Sequence, residues 1–398
     1  MPPAPEAPEA LIIGAGPAGA AAAFWLAKEG LDVVMVDKRV FPRDKTCGDG
    51  LAPRAVKQIT DMGLGDQLSQ FHRYDGLRAT GHGKELELHW PTHPVYPQHG
   101  YVVRRRELDT IVTHNAVATG ATLLEGHEAL APVLQRGFVR GATVQAQNSE
   151  TPFDITARYV IVADGANSRF GRALGTFRTK EWPYGIAIRS YWETPRHAEP
   201  WIESALEVKD RQGNPMPGYG WIFPVGDGTV NIGVGALSTM KGFKKLNLNK
   251  LLDQYATIVK DSWSLGDYIE KPRAWRLPMS CMRRHGEGWV AIGDAAGFVN
   301  PMNGEGIDYG LESGMLAVQC YLEDPASAAV EYDKQVGERF DAFLRTGRRF
   351  SFIIGHPWLL KPGLRIAVGT QTAADITLSV MGNLIDSNTP GAAGRVMK

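Results

Sequence analysis

The run Leu11-Ile12-Ile13-Gly14-Ala15-Gly16-Pro17-Ala18-Gly19 constrains the fold more than any other part of the chain. An apolar strand, Ala10 to Ile13, feeds a turn suited to glycine. Gly14 permits the turn, Gly16 leaves the backbone bare for a pyrophosphate, and Gly19 lets the next helix pack close to the strand. That helix is predicted to start near Pro17 and Ala18, since proline suits a first turn. Its free amides and positive dipole end face the phosphates. Leu31 to Val36 reads as the next strand, ending at Asp37 with Lys38 beside it. An acid about 20 residues past the glycines can bind ribose hydroxyls. A glycine turn without a ligand is the alternative. Strand, helix, second strand and terminal acid in order favour a dinucleotide.

The chain has 398 residues, enough for two or three domains. Lys+Arg and Asp+Glu both number 43, which gives no sign of a nucleic-acid or polyanionic partner. Three cysteines, Cys47, Cys281 and Cys320, are too few for a disulfide framework and suggest a reducing, cytoplasmic compartment. The dispersed histidines show no metal-ligand spacing. Ala10 to Ala27 is uncharged and approaches membrane-spanning length, but its glycines and the phosphate-binding pattern account for it. Pro2 to Glu9 is acidic and proline-rich, a poor signal peptide and an expected disordered lead-in.

The cofactor motifs are scattered, so the domain that holds them must be discontinuous: residues 10–71, 101–178 and 275–324. Residues 72–100 and 179–274 form a second domain rich in strands, predicted at Glu85–Trp90, Gly185–Trp192, Ala205–Val208, Gly220–Pro224 and Val230–Val234. Gly226-Asp227-Gly228 makes the hairpin turn between the last two. Leu246 to Lys260 reads as a helix with an Asn cap. Residues 325–398 form a C-terminal segment, mostly helical from Glu331 to Ser387, with a glycine-rich tail.

Two further apolar strands end in acids. One leads to Asp164-Gly165, the other to Gly293-Asp294. After the second come Asn300-Pro301-Met302-Asn303-Gly304-Glu305-Gly306 and a predicted helix, Ile307 to Tyr321. A strand-end acid can accept hydrogen bonds from ribityl or ribose hydroxyls. Bare amides at Gly304 and Gly306, by a helix start, can face the electron-rich edge of a flavin ring. These blocks resemble the signature of flavin enzymes of the glutathione-reductase and hydroxybenzoate-hydroxylase type, which implies an α/β fold with a Rossmann-like FAD domain. Within Val102-Val103-Arg104-Arg105-Arg106-Glu107-Leu108-Asp109, Arg105 matches the arginine such proteins place near the cofactor, with Arg104 and Arg106 as the neighbouring registers.

Phe41-Pro42-Arg43-Asp44-Lys45-Thr46-Cys47-Gly48-Asp49-Gly50-Leu51 resembles the cysteine motif of the geranylgeranyl reductase family. Tyr219-Gly220-Trp221-Ile222-Phe223-Pro224 resembles its aromatic motif. The resemblance spans nearly the whole chain, including Gly382-Asn383-Leu384-Ile385-Asp386, and is strongest to the actinobacterial-type menaquinone reductases within that family. Two positions depart from the pattern: Met216 stands where archaeal members often carry proline, and Asp308 where a small apolar residue is expected. Asp308 either complements the helix N-terminus or signals a different substrate.

The resemblance implies saturation of an isolated alkene in a prenyl chain, with electrons from NADPH, NADH or a ferredoxin-like donor. Such a bond has no carbonyl to take hydride conjugately. Protonation leaves tertiary cation character that hydride from reduced flavin quenches, in a site that excludes water. Aromatic faces stabilise such charge, which makes Trp221 and Tyr219 catalytic candidates. The alternative for both is strand packing, the favoured reading for Phe223. Cys47, followed by Gly48 and Gly50, is expected against the flavin with Gly48; it either relays a proton or is a small buried hydrophobe. Residues 350–368 mix basic and apolar side chains, which suits a peripheral contact with the inner face of the cell membrane or a helical pair over the active-site mouth. The rivals are an FAD-dependent monooxygenase of a small aromatic or polyketide-like substrate and a geranylgeranyl-group reductase of natural-product biosynthesis. A halogenase lacks its tryptophan-rich signature here.

Overall fold

The computed structural model describes residues 7–81, 84–209, 212–213, 215–216, 218–354 and 371–385. Its first large sheet has six strands in the order His285–Gly286, Trp289–Ala291, Tyr159–Val162, Ala10–Ile13, Val33–Asp37 and Thr122–Glu125. The pairing is parallel apart from the outer hairpin. The four strands between the two edge strands are buried along their whole lengths, as a parallel sheet covered on both faces requires. On one side, helix Pro17–Lys28 packs against helices Arg105–Thr119 and Ile307–Glu323. A three-stranded antiparallel sheet, residues 127–156, packs against strands Val33–Asp37 and Tyr159–Val162. Ile13, Val36 and Val162 sit side by side at the carboxyl ends of their strands, the edge where open α/β sheets bind ligands.

The second large sheet has seven strands: Arg273–Leu277, Gly185–Glu193, Thr229–Leu237, Tyr219–Pro224, Trp201–Ala205, Gly76–Gly81 and Lys84–His89, in that order. It is antiparallel except where Trp201–Ala205 runs parallel to Gly76–Gly81. Helix Leu248–Trp263 covers one face, burying Leu251, Leu252, Tyr255 and Trp263 against Ile188, Ile222, Val230, Ile232 and Val234. The Asn247 side chain caps that helix by accepting from the Lys250 amide at 3.0 Å.

Several element boundaries differ from expectation. The strand predicted at Ala205–Val208 is two elements: Ala205 ends Trp201–Ala205, the Leu206 amide donates to Thr80 as the chain leaves the sheet, and Val208 opens a separate short strand. Trp275, predicted to reopen the cofactor domain, lies on the edge strand Arg273–Leu277 of the second sheet, where Ala187 is its partner. The strand Val33–Asp37 starts two residues late, and helix Ile307–Glu323 runs two residues long. Helix Ala328–Ile354 is continuous, and Gln371–Met381 forms another. Residues 355–368 of the predicted membrane-facing stretch, the tail from Asp386 and residues 1–6 of the lead-in lie outside the described residues.

Candidate active site

A cavity of about 820 Å³ opens between the carboxyl edge of the first sheet and the free face of the second. Gly14, Gly16, Pro17, Ala18, Asp37, Lys38, Arg105, Asp164, Gly165, Gly293 and Asp294 line it, as do Gly304, Gly306, Ile307, Cys47, Gly48, Tyr219 and Trp221. Two predicted residues stand apart. Gly19 sits behind the loop, where an added Cβ would lie 1.9 Å from the Gly14 carbonyl oxygen. Pro301 is buried against Gly347, away from the cavity.

The glycines differ in what they do. Gly14 has φ +101°, and an added Cβ would meet the Ala163 carbonyl at 2.4 Å. At Gly16 the nearest atom would be Arg43 Nη2 at 3.5 Å, so that side is open to a ligand. Gly16 and Gly306 head helices Pro17–Lys28 and Ile307–Glu323 without a side-chain cap, which leaves helix-start amides available to an acceptor. Asp37 also holds the loop: its Oδ2 accepts from the Ala15 amide at 3.0 Å. Asp164 accepts from the Phe170 amide at 3.3 Å through Oδ2, while its buried Oδ1 has no partner among the described residues. Burial pushes this carboxyl up to about 6. An orphaned acceptor, an open glycine and two uncapped helix starts together suit the hydroxyls, pyrophosphate and ring edge of FAD.

The cysteine loop is tied to the second sheet. Asp49, fully buried at φ +70°, accepts from Tyr191 Oη, from Asn231 Nδ2 at 2.8 Å and from the Arg105 amide at 3.3 Å. Asn231 Nδ2 also donates to the Cys47 carbonyl at 2.9 Å, and Asn231 Oδ1 accepts from Trp221 Nε1 at 3.0 Å. Burial, and then Asp49, push the Cys47 thiol up, so it stays protonated at neutral pH. The glycines beside Cys47 serve aromatic packing as well: a Cβ on Gly48 would meet Phe223 at 3.1 Å and Trp221 at 3.3 Å, and one on Gly50 would meet Phe223 at 3.0 Å. Phe223, expected as core packing, also lines the cavity.

Tyr219, Trp221 and Phe223 share one strand face by the two-residue period. Their centroids are 6.2 and 6.4 Å apart in turn. Tyr219 and Trp221 lie flat over Gly235 and Gly233 of the next strand, where any Cβ would collide with the rings. Tyr219 Oη stands 3.0 Å from the Cβ position of Gly304, which places this strand against the turn before helix Ile307–Glu323.

The chain matches the FAD binding domain family over residues 8–319. It is 39% identical to a menaquinone reductase of Mycobacterium tuberculosis over 99% of this chain and 95% of that protein. It is 30% identical to a digeranylgeranylglycerophospholipid reductase of Methanosphaerula palustris over 82% and 80% of the two chains. The crystal structure of a geranylgeranyl bacteriochlorophyll reductase-like protein from Thermoplasma acidophilum shares the fold with a TM-score of 0.76, at 22% identity over 98% of this chain and 96% of that one. The chain belongs to the geranylgeranyl reductase family of FAD-dependent oxidoreductases.

This geranylgeranyl reductase homologue also recruits residues its sequence did not mark. Buried Arg189 donates to Glu270 at 2.9 Å and to Asp44 at 2.9 and 3.1 Å, and Arg273 reaches the same Asp44 at 2.7 Å. Arg43 pairs with Asp109 at 2.9 Å, and Arg105 donates to that carboxylate at 2.6 and 2.9 Å. Lys45 reaches Asp294 at 3.2 Å and lies 5.6 Å from the Trp275 ring centroid. Beyond the aromatic strand, Tyr74, Leu77, Trp90, Ile202, Leu378 and Met381 form an apolar end of the cavity. Among the described residues no helix is long and apolar enough to cross a membrane, and no group of His, Cys, Asp or Glu is arranged to hold a metal ion.

Proposed function

We propose that this enzyme saturates one isolated C=C bond in the prenyl tail of menaquinone. One observation carries the reading: the cavity that offers the FAD groups continues into an end walled by Leu77, Trp90, Ile202, Leu378 and Met381, which suits a hydrocarbon tail. The names of the reductases to which the chain is similar support a prenyl lipid, and the 39% identical relative supports the quinone.

Bound flavin supplies the hydride chemistry. The protein supplies position and exclusion. Gly16 and the start of helix Pro17–Lys28 take the pyrophosphate, and Asp37 and Asp164 take the ribose and ribityl hydroxyls. The Cys47 loop, fastened through Asp49 and Asn231, sets a neutral thiol beside the ring. The faces of Trp221 and Tyr219 stabilise positive charge that develops on the alkene, and the apolar walls keep water from capturing it. A membrane-borne substrate makes the protein a peripheral visitor to the inner face of the cell membrane.

The test is anaerobic incubation of the FAD-loaded, chemically reduced enzyme with menaquinones of several tail lengths. The expected product is heavier by two hydrogens and forms best without oxygen. A product that gains oxygen, formed only in air, would replace this reading with a monooxygenase.

A further inference from the structure

Glu305 and Asp308, in the turn and first helical residues after Asn303, both line the cavity. Asn383 bridges them: its Nδ2 donates to Glu305 Oε2 at 2.9 Å and to Asp308 Oδ2 at 2.8 Å. The amide cannot turn away, because its Oδ1 accepts from Asn300 Nδ2 at 2.7 Å and from Tyr309 Oη at 3.0 Å. Asp308 is 2% exposed, and its Oδ1 is buried with no partner among the described residues.

Charge is unbalanced here. Arg54 faces the pair from helix Pro53–Asp61, but its donors go to Glu312 at 3.0 Å and to the Asn383 carbonyl at 3.0 Å. Arg339 reaches Glu312 from the other side at 3.4 Å. Among the described residues, the phenols Tyr74, Tyr96 and Tyr309 also face the pair or Arg54. Glu305 and Asp308 therefore share a site without a cation of their own, which favours keeping a proton between them. Burial and the neighbouring Asp308 push Glu305 well above the ordinary carboxylate range, and burial pushes Asp308 up against the pull of Arg54.

We infer that the Glu305–Asp308 pair is the general acid of the alkene reduction, with Asn383 as its positioning residue; this rests on the prenyl-reductase reading. The proton leaves the pair as a C–H bond forms at one alkene carbon and the π bond breaks. Bound reduced FAD would supply the hydride that closes the other carbon and would itself be oxidised, and the pair regains a proton from solvent. The two electrons come from the external reductant that reloads the flavin.

The test compares the FAD-loaded wild type with Asp308→Asn, Glu305→Gln and the double variant, using a naphthoquinone with a short prenyl tail. The amides keep an oxygen for Asn383, so FAD content and melting temperature should hold. Substrate-free infrared difference spectra at neutral pH should show a protonated buried carboxyl that shifts in D₂O and is absent from the double variant. Single-turnover reduction should fall about a hundredfold or more in the double variant, with KM changed less than about threefold. A wild type without that carboxyl band overturns the proposal, as does a double variant that keeps its rate or changes only KM. A wild type that shows the band but reduces no prenyl lipid overturns instead the substrate reading on which the acid's role rests.

Discussion

At the residue scale, glycines of one motif carry separable burdens. Gly14 is required by the backbone itself: its positive φ and the Ala163 carbonyl at 2.4 Å leave no room for a methyl group. Gly14→Ala should destabilise the apoprotein by about 1–3 kcal/mol or more, read from urea midpoints. At Gly16 an added Cβ would meet only the end of the Arg43 side chain, at 3.5 Å, so Gly16→Val should leave the apoprotein melting temperature within a few degrees while FAD is lost. Stoichiometric FAD in purified Gly16→Val would refute the role given to that loop. Cys47 allows a similar separation. Burial pushes its thiol up, which disfavours the nucleophilic thiolate. Cys47→Ala should retain FAD and slow single-turnover reduction by about tenfold or less, well short of the ~10²–10⁴ that loss of a general acid costs. A larger fall would make Cys47 the proton donor.

At the element scale, the decisive link runs between the cysteine loop and strand Thr229–Leu237. One amide, Asn231, satisfies Asp49, the Cys47 carbonyl and Trp221 Nε1 together. Asn231→Leu takes a partner from all three, leaving Asp49 with Tyr191 and the Arg105 amide, and should cost about 1–3 kcal/mol and loosen the loop, seen as faster amide exchange near residues 45–50. Asp49 adds a pH signature. Burial raises its carboxyl to about 6 from an ordinary 3.8, so between about pH 4 and 6 the folded chain holds a proton that the unfolded chain has lost. This group's contribution to stability therefore falls as pH rises through that window and is lowest above pH 6. Asp49→Asn should flatten that part of the stability profile, measured by urea unfolding of the FAD-loaded protein at several pH values; an unchanged slope would rule Asp49 out as its source. Local patterns made much of this scale readable. The strand, turn and helix over 10–37 announce themselves through an apolar run, spaced glycines and a terminal acid, and the Asn247 cap is visible beside its helix. Elements defined by distant partners were not readable. Trp201–Ala205 is placed by Gly76–Gly81, and Trp275 by Ala187. Arg54 meets Glu312 across 258 positions and Asn383 across 329, and each would pass for an ordinary polar residue in its own stretch.

At the scale of the whole molecule, the cavity is a product of assembly. Its glycine-loop end belongs to the first sheet, its aromatic floor to the second, and its apolar end also needs helix Gln371–Met381, held where Trp90 packs over Gly382. Leu378 is 1% exposed and reaches the cavity from that helix. If the prenyl tail lies in this end, narrowing it must penalise substrates by length. Leu378→Trp should leave FAD content and flavin absorbance unchanged. It should lower kcat/KM for a long-tailed menaquinone by roughly tenfold or more, because a crowded hydrocarbon pocket discriminates by about 1–3 kcal/mol per methylene-sized misfit. A substrate with one or two isoprene units, ending short of Leu378, should lose much less. Equal losses for both lengths, with FAD still bound, would place the tail elsewhere and leave this end of the cavity as packing around the Asn383 bridge.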